Sequence, residues 1–205
     1  MVSFTIPLTM LGSLAARTFM DMEKEVVKFK RVYGDMFTST AQTDQALADI
    51  QALGKEFTKY GVAVKDTMSL AAEAAQAGYM GADLMAQTAN ANKLAVLGQV
   101  DQQQALQTTI SLQNAFGLSA QNLTDSINFL NAVENQTVTS IEDLTIAIPK
   151  AGPVVKSLGG DVKDLAFFLT AMKEGGINAS EGANALKSGL ASLINPTKKA
   201  SEPLS

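Results

Sequence analysis

Cysteine, histidine and tryptophan do not occur in the 205 residues. Without cysteine there is neither a disulfide framework nor a thiolate metal site. Without histidine, ordinary zinc sites, Ser-His-Asp triads and Cys-His pairs are excluded as well. Catalysis would have to rest on carboxylates, lysine, serine, threonine or tyrosine alone, so no enzyme, cofactor or metal is expected. Basic charge is also scarce. Sixteen Lys and Arg stand against 20 Asp and Glu, for a net charge of −4, whereas a phosphate-tracking surface needs clustered Lys and Arg. Sequence-specific nucleic-acid binding is therefore not expected. β-Branched runs are few, and Thr137-Val138-Thr139 is the only piece leaning towards a strand.

What remains is rich in alanine, leucine and glutamine, which favours helix nearly everywhere. The apolar fraction of 46% is enough for a core in a chain of this length. Glycines and polar caps cut the helical pattern into short pieces. The expected fold is all-α: an irregular bundle of about eight short helices, preceded by a longer N-terminal helix.

The stretch Val2 to Ala16 is uncharged, but no basic segment precedes it, which disfavours a secretory leader. Arg17 arrives too early for a membrane span. Spacing gives a better reading. Leu8, Gly12, Ala15, Phe19, Met22, Val26, Phe29 and Tyr33 fall at alternating steps of four and three, a heptad seam. Asp21 with Lys24, and Glu25 with Lys28, add support at i, i+3. This seam is the candidate surface for self-association or a partner helix; packing on its own domain explains it equally well. Pro7 falls in or before the first turn.

From residue 39 onward eight helices are expected. Thr43 or Asp44 caps the first, striped by Leu47, Ile50, Leu53, Phe57 and Tyr60. A second runs from Asp66 to Ala77, and a third from Gly81 to Gly98. Asp101 caps a fourth to Phe116, and Ser119 a fifth through Leu123, Ile127, Leu130 and Val133. Ser140 with Asp143 forms a capping box for a sixth, with a break or kink near Ile148 because Pro149 and Pro153 follow. Asp161 caps a seventh through Leu165, Phe168, Leu169 and Met172. Asn178 or Ser180 caps the eighth, whose Gly182, Ala185 and Gly189 keep one face thin for close docking. Ala183, Leu186, Leu190, Leu193 and Ile194 line its other side until Pro196. No fixed-length repeat marks a solenoid.

The groups that could carry chemistry have plainer explanations. Asp161 and Asp164, like Glu142 and Asp143, sit where acidic residues complement a helix start, and Glu174 has no distinctive setting. Gly159-Gly160-Asp161 and Gly175-Gly176 lack both the following Lys-Ser/Thr and a preceding strand of a phosphate loop. The methionines, Met68, Met80, Met85 and Met172 among them, read as adaptable core. Between Met85 and Thr124 the only charges are Lys93 and Asp101, a stretch read as packing rather than as a subunit or membrane surface.

The order of the pieces resembles the core region of phage tail tape measure proteins. The stretches that carry the resemblance begin with Leu53 to Gly61 and the alanine-rich Ala71 to Gly78. Asn114-Ala115-Phe116-Gly117-Leu118, Thr139-Ser140-Ile141-Glu142-Asp143-Leu144 and Leu158-Gly159-Gly160-Asp161 follow, and Gly176 to Leu186 with Pro196 closes the set. Each is a helix cap that any bundle could use; the ordered combination is the signal. Lys187 fits the pattern, whereas Gly182 stands where the family often has alanine and could loosen the turn.

The resemblance implies a structural protein that lies in the tail tube lumen, sets tube length during assembly in the host cytoplasm, and takes part in genome ejection. The partners it implies are the tail tube protein, tail assembly chaperones and baseplate or tail tip proteins. It further implies a homo-oligomer in the tube and contact with the host envelope. Even as one unbroken helix the chain would reach only on the order of 300 Å, so these residues read as a folded portion rather than the ruler. The expected organisation is a helix over 1–38, a helical core over 39–197, and over 198–205 the start of a continuation or linker. A helical adaptor docking through the seam is the alternative reading, and a peptidoglycan-degrading enzyme a more remote one.

Overall fold

A computed structural model of the chain describes residues 8–34 and 40–194, the side chains of 8–19 excepted. Among the described residues nine α-helices account for the architecture, with no strand. They are α1 (Leu8–Gly34), α2 (Thr40–Phe57), α3 (Val64–Gln76), α4 (Gly81–Gly98), α5 (Gln102–Phe116), α6 (Ala120–Gln136), α7 (Ile141–Ser157), α8 (Val162–Glu174) and α9 (Ala179–Ile194). A 3₁₀ turn over Thr58–Tyr60 extends α2. One long helix followed by eight short ones is the all-α arrangement expected. Pro196 and the 198–205 segment lie outside the described residues.

The caps foreseen from Asp101 onward are in place. Asp101 accepts from the amides of Gln103 and Gln104, and Ser119 accepts from that of Asn122. Ser140/Asp143 and Asp161/Asp164 both form reciprocal capping boxes. Of the two caps left open for α9, Asn178 takes the role, its Oδ1 accepting from the Glu181 amide at 3.0 Å. The helices also stop alike. In six places a residue with left-handed φ follows the helix, and the next amide donates to the carbonyl five residues back at 3.0–3.3 Å. Five of these are glycines; the sixth, Gln99 at φ 50°, is not. This closure satisfies carbonyls that a helix end leaves without donors.

The chain divides into two compact units, Met1–Thr88 and Ala89–Ser205, with the boundary inside α4, where the sequence reading drew none. In the first unit α1, α2 and α3 pack on one another. Ala71, Ala72, Ala74 and Ala75 are all fully buried, so α3 presents small side chains in more than one direction. Gly54 brings α2 close to α3, for a Cβ there would stand 3.2 Å from the Val64 Cα. Two expectations fail in α2. Thr43 and Asp44 do not cap it, because it begins at Thr40; Thr43 is buried and Asp44 instead pairs with Lys30 of α1 at 2.7 Å. Of the stripe on α2, Ile50 alone is fully buried, and Tyr60 is 58% exposed.

In the second unit α7 is the central helix, with α9 and α5 lying closest along it and α8 and α6 beside it. Leu112, Phe116, Leu123, Ile127, Leu130, Leu144, Ile148, Leu165 and Leu169 belong to one continuous core. Uncharged polar groups between residues 89 and 124 are used inside the fold. Asn92 accepts from Gln102 at 3.1 Å and Asn90 from Thr124 at 3.0 Å.

The break expected near Ile148 does not occur: α7 is uninterrupted from Ile141 to Ser157 with Pro149 and Pro153 inside it. A proline removes the amide that would reach four residues back, so Pro149 leaves the Thr145 carbonyl without its helical donor. Thr108 of α5 supplies a donor, its Oγ1 lying 3.4 Å from that carbonyl oxygen. Gln104 joins the same contact, donating to Thr145 Oγ1 at 2.7 Å.

α9 differs from expectation too. Its first half docks, with Ala179, Gly182, Ala183 and Leu186 buried, but Ala185 and Gly189 are exposed and a Cβ on Gly189 would touch nothing. Gly182 loosens no turn. It is buried, and a Cβ there would lie 3.2 Å from Met172 Sδ of α8. Leu193 and Ile194 project outward at 71% and 41% exposure.

Candidate functional site

Of the acidic residues singled out in the sequence, Asp143, Asp161 and Asp164 serve as structural caps. Asp161 Oδ1 accepts from Lys163 and Asp164 amides at 2.7 and 3.1 Å, and Asp164 accepts from the Asp161 amide at 2.9 Å. Glu174 is exposed at the end of α8. Among the described residues no three acidic groups gather as a metal site would require. The paired glycines at 159–160 and 175–176 are helix stops of the kind described above.

Asp143 is the most engaged of these groups. Its carboxylate accepts from the Ser140 amide at 2.9 Å, from the Ser140 hydroxyl at 2.8 Å, and from Lys173 of α8. Burial pushes this carboxyl up, but Lys173 and the two Ser140 donors outweigh it and hold its pKa below the ordinary aspartate value. Glu134 of α6 accepts from the Ile141 amide at 3.1 Å. The start of α7 is thus joined to α6 through the Ile141 amide and to α8 through the Asp143 carboxylate.

All seven candidate seam residues fall on α1. The side chains of Leu8, Ala15 and Phe19 lie outside the described residues. Met22 and Val26 are half-buried, whereas Phe29 and Tyr33 are buried in the first unit. Their rings stack at 5.0 Å, and the Tyr33 hydroxyl accepts from the Gly81 amide at 3.0 Å, which ties α1 to the start of α4. The C-terminal end of the seam is therefore spent on the chain's own packing. Met20 and Val27, one heptad apart and off the seam, are 57% and 66% exposed.

A second apolar surface escaped the sequence reading. Phe168, expected in the core, is 40% exposed and Phe167 69%; the two rings meet edge to face at 5.8 Å. The buried face of α8 is Val162, Leu165, Ala166 and Leu169, a strict i, i+3, i+4, i+7 stripe. Positions 167 and 168 fall outside it, although Phe168 also fits the equally regular stripe Leu165, Phe168, Leu169 and Met172, so the count alone separates only Phe167.

Among the described residues Asp143, Asp161 and Asp164 are therefore engaged in caps and Phe29 and Tyr33 in packing, while the exposed apolar residues Met20 with Val27 and Phe167 with Phe168 lie on α1 and α8. Residues 47–205 match the family of phage-related minor tail proteins, and the chain belongs to that family. It is a structural component of the phage tail, and so of the virion. No curated protein and no solved structure matches the chain. No helix among the described residues is long and apolar enough to cross a membrane.

Proposed function

We propose that this chain is the folded helical core of a tail tape measure protein, a non-enzymatic component that lies within the tube lumen. The observation that carries the reading is the ordered set of stops and caps inside the matched region. The Ala-rich segment ends at Gly78, α5 ends at Gly117, α7 opens on the Ser140 box, α8 on the Asp161 box, and α9 on Asn178. Each falls on a stretch by which the sequence resembles the tape measure core.

In this role the tube rings stack around the protein until its length is covered, and it leaves with or ahead of the genome. The tail tube protein, assembly chaperones and tail tip or baseplate proteins are its partners, and several copies share the lumen. Two measurements test this. Protease treatment of purified tails should leave the chain intact until ejection is triggered and degrade it afterwards. Loss of the gene should abolish tails or scatter their lengths in electron micrographs. Digestion of the chain on intact tails, or tails of normal uniform length without it, would overturn the reading.

A further inference from the structure

The central helix of the second unit is poorly suited to standing alone. Each internal proline lowers a helix's own equilibrium by roughly a hundredfold relative to alanine, and a glycine adds a further roughly fivefold. α7 holds Pro149, Gly152 and Pro153 within five residues. Its neighbours compensate. Thr108 reaches the carbonyl that Pro149 leaves without a donor. Gly152 leaves room for Phe116 of α5, whose Cε2 would be 3.2 Å from a Cβ there. Lys150, between the prolines, donates to Ser180 of α9 at 2.7 Å, and Ala183 of α9 is fully buried in the shared core.

We propose that α7 is a conditional helix, held in helical form only while α5 and α9 are docked on it. Release of α9 then converts the stretch from Thr145 to Ser157 to non-helical chain and dismantles the second unit in one step. The device needs no ligand. α9 is its release point, because its buried residues lie in the first half, while in the second half Leu190 alone packs against the core and Gly189, Leu193 and Ile194 are exposed. This inference is independent of the tape measure reading and concerns folding alone.

Native-state hydrogen exchange on the full chain, at several sub-denaturing urea concentrations, tests it. The amides of α7 beyond Thr145 and those of Ala183 to Leu190 should share one opening, with protection factors agreeing within about threefold and equal urea slopes. In the Pro149→Ala/Pro153→Ala double variant α7 should outlast α9, its protection exceeding that of α9 by more than about tenfold. Protection of α7 more than about tenfold above that of α9 in the natural chain would overturn the proposal. So would a double variant in which the two helices still open together.

Discussion

The Thr108 hydroxyl stands 3.4 Å from the Thr145 carbonyl oxygen, and its single hydrogen is shared with the Gln104 carbonyl at 2.9 Å. The first contact joins two helices; the second lies within α5. The buried acceptor left by Pro149 is thus met in part from outside the helix. Leaving such an acceptor unmet costs about 1–3 kcal/mol, and a shared, long bond recovers part of that. Thr108→Val should therefore lower stability by about 1 kcal/mol in urea unfolding. In a Pro149→Ala background the restored amide serves Thr145, and the same substitution should cost much less. An equal cost in both backgrounds would mean that the hydroxyl does not serve this carbonyl.

Two helical glycines should respond in opposite directions to alanine. A Cβ on Gly98 would lie 2.3 Å from Ile141 Cγ2, the side chain that opens α7, whereas one on Gly189 would meet nothing within 4 Å. Gly98→Ala should destabilise by about 1–3 kcal/mol through overpacking. Gly189→Ala should stabilise by roughly 0.5–1 kcal/mol, because alanine loses less backbone freedom in a helix. Thermal unfolding of the two variants checks both signs.

Gln99 is the one residue other than glycine with positive φ among the described residues, and it is exposed. The other five stops of the same form use glycine there. Left-handed backbone costs a residue with a Cβ about 1–2 kcal/mol. Gln99→Gly should thus raise stability by about 1 kcal/mol, read as a higher urea midpoint with an unchanged slope.

Much of this architecture is legible in the sequence because its punctuation is local. Asp101, Ser119, Ser140 and Asp161 cap the amides of the next two or three residues, and Gly78, Gly117 and Gly159 close the turns before them, so neither depends on distant contacts. What the sequence hides is long-range. The donor that meets the acceptor left by Pro149 is Thr108, 37 residues away in the chain. Asp44, a good cap by type, lies inside α2 because the helix begins at Thr40, and its carboxylate pairs with Lys30 on another helix. Phe168 is expected on the buried stripe because Leu165, Phe168, Leu169 and Met172 also fall at i, i+3, i+4 and i+7; the helix instead turns its Val162 and Ala166 side inward, a choice that spacing within α8 does not decide.

That assignment gives a direct contrast on α8. Leu165 is fully buried and Phe167 is 69% exposed. Leu165→Ala should cost about 2–5 kcal/mol, while Phe167→Ser should change stability by less than about 0.5 kcal/mol. If the phenylalanine substitution proves the costlier one by chemical denaturation, the orientation of α8 is wrong.

Acid should reveal Asp143. Its folded-state pKa is depressed, so the unfolded chain binds this proton more readily than the folded one. The resulting stability is fully present above the unfolded aspartate value, near 3.9. It is lost as pH falls through the lower folded value. Asp143→Asn removes the charge that meets Lys173 and weakens the box at the start of α7, and should cost about 1–2 kcal/mol at pH 7. The deficit should shrink as the pH is lowered towards 3 and below, where the natural carboxylate is itself being protonated. Urea unfolding of both chains between pH 2 and 7 measures this directly. Two curves that stay parallel down the acid limb would show that the Lys173 and Ser140 contacts do not lower this carboxyl's pKa in the folded protein.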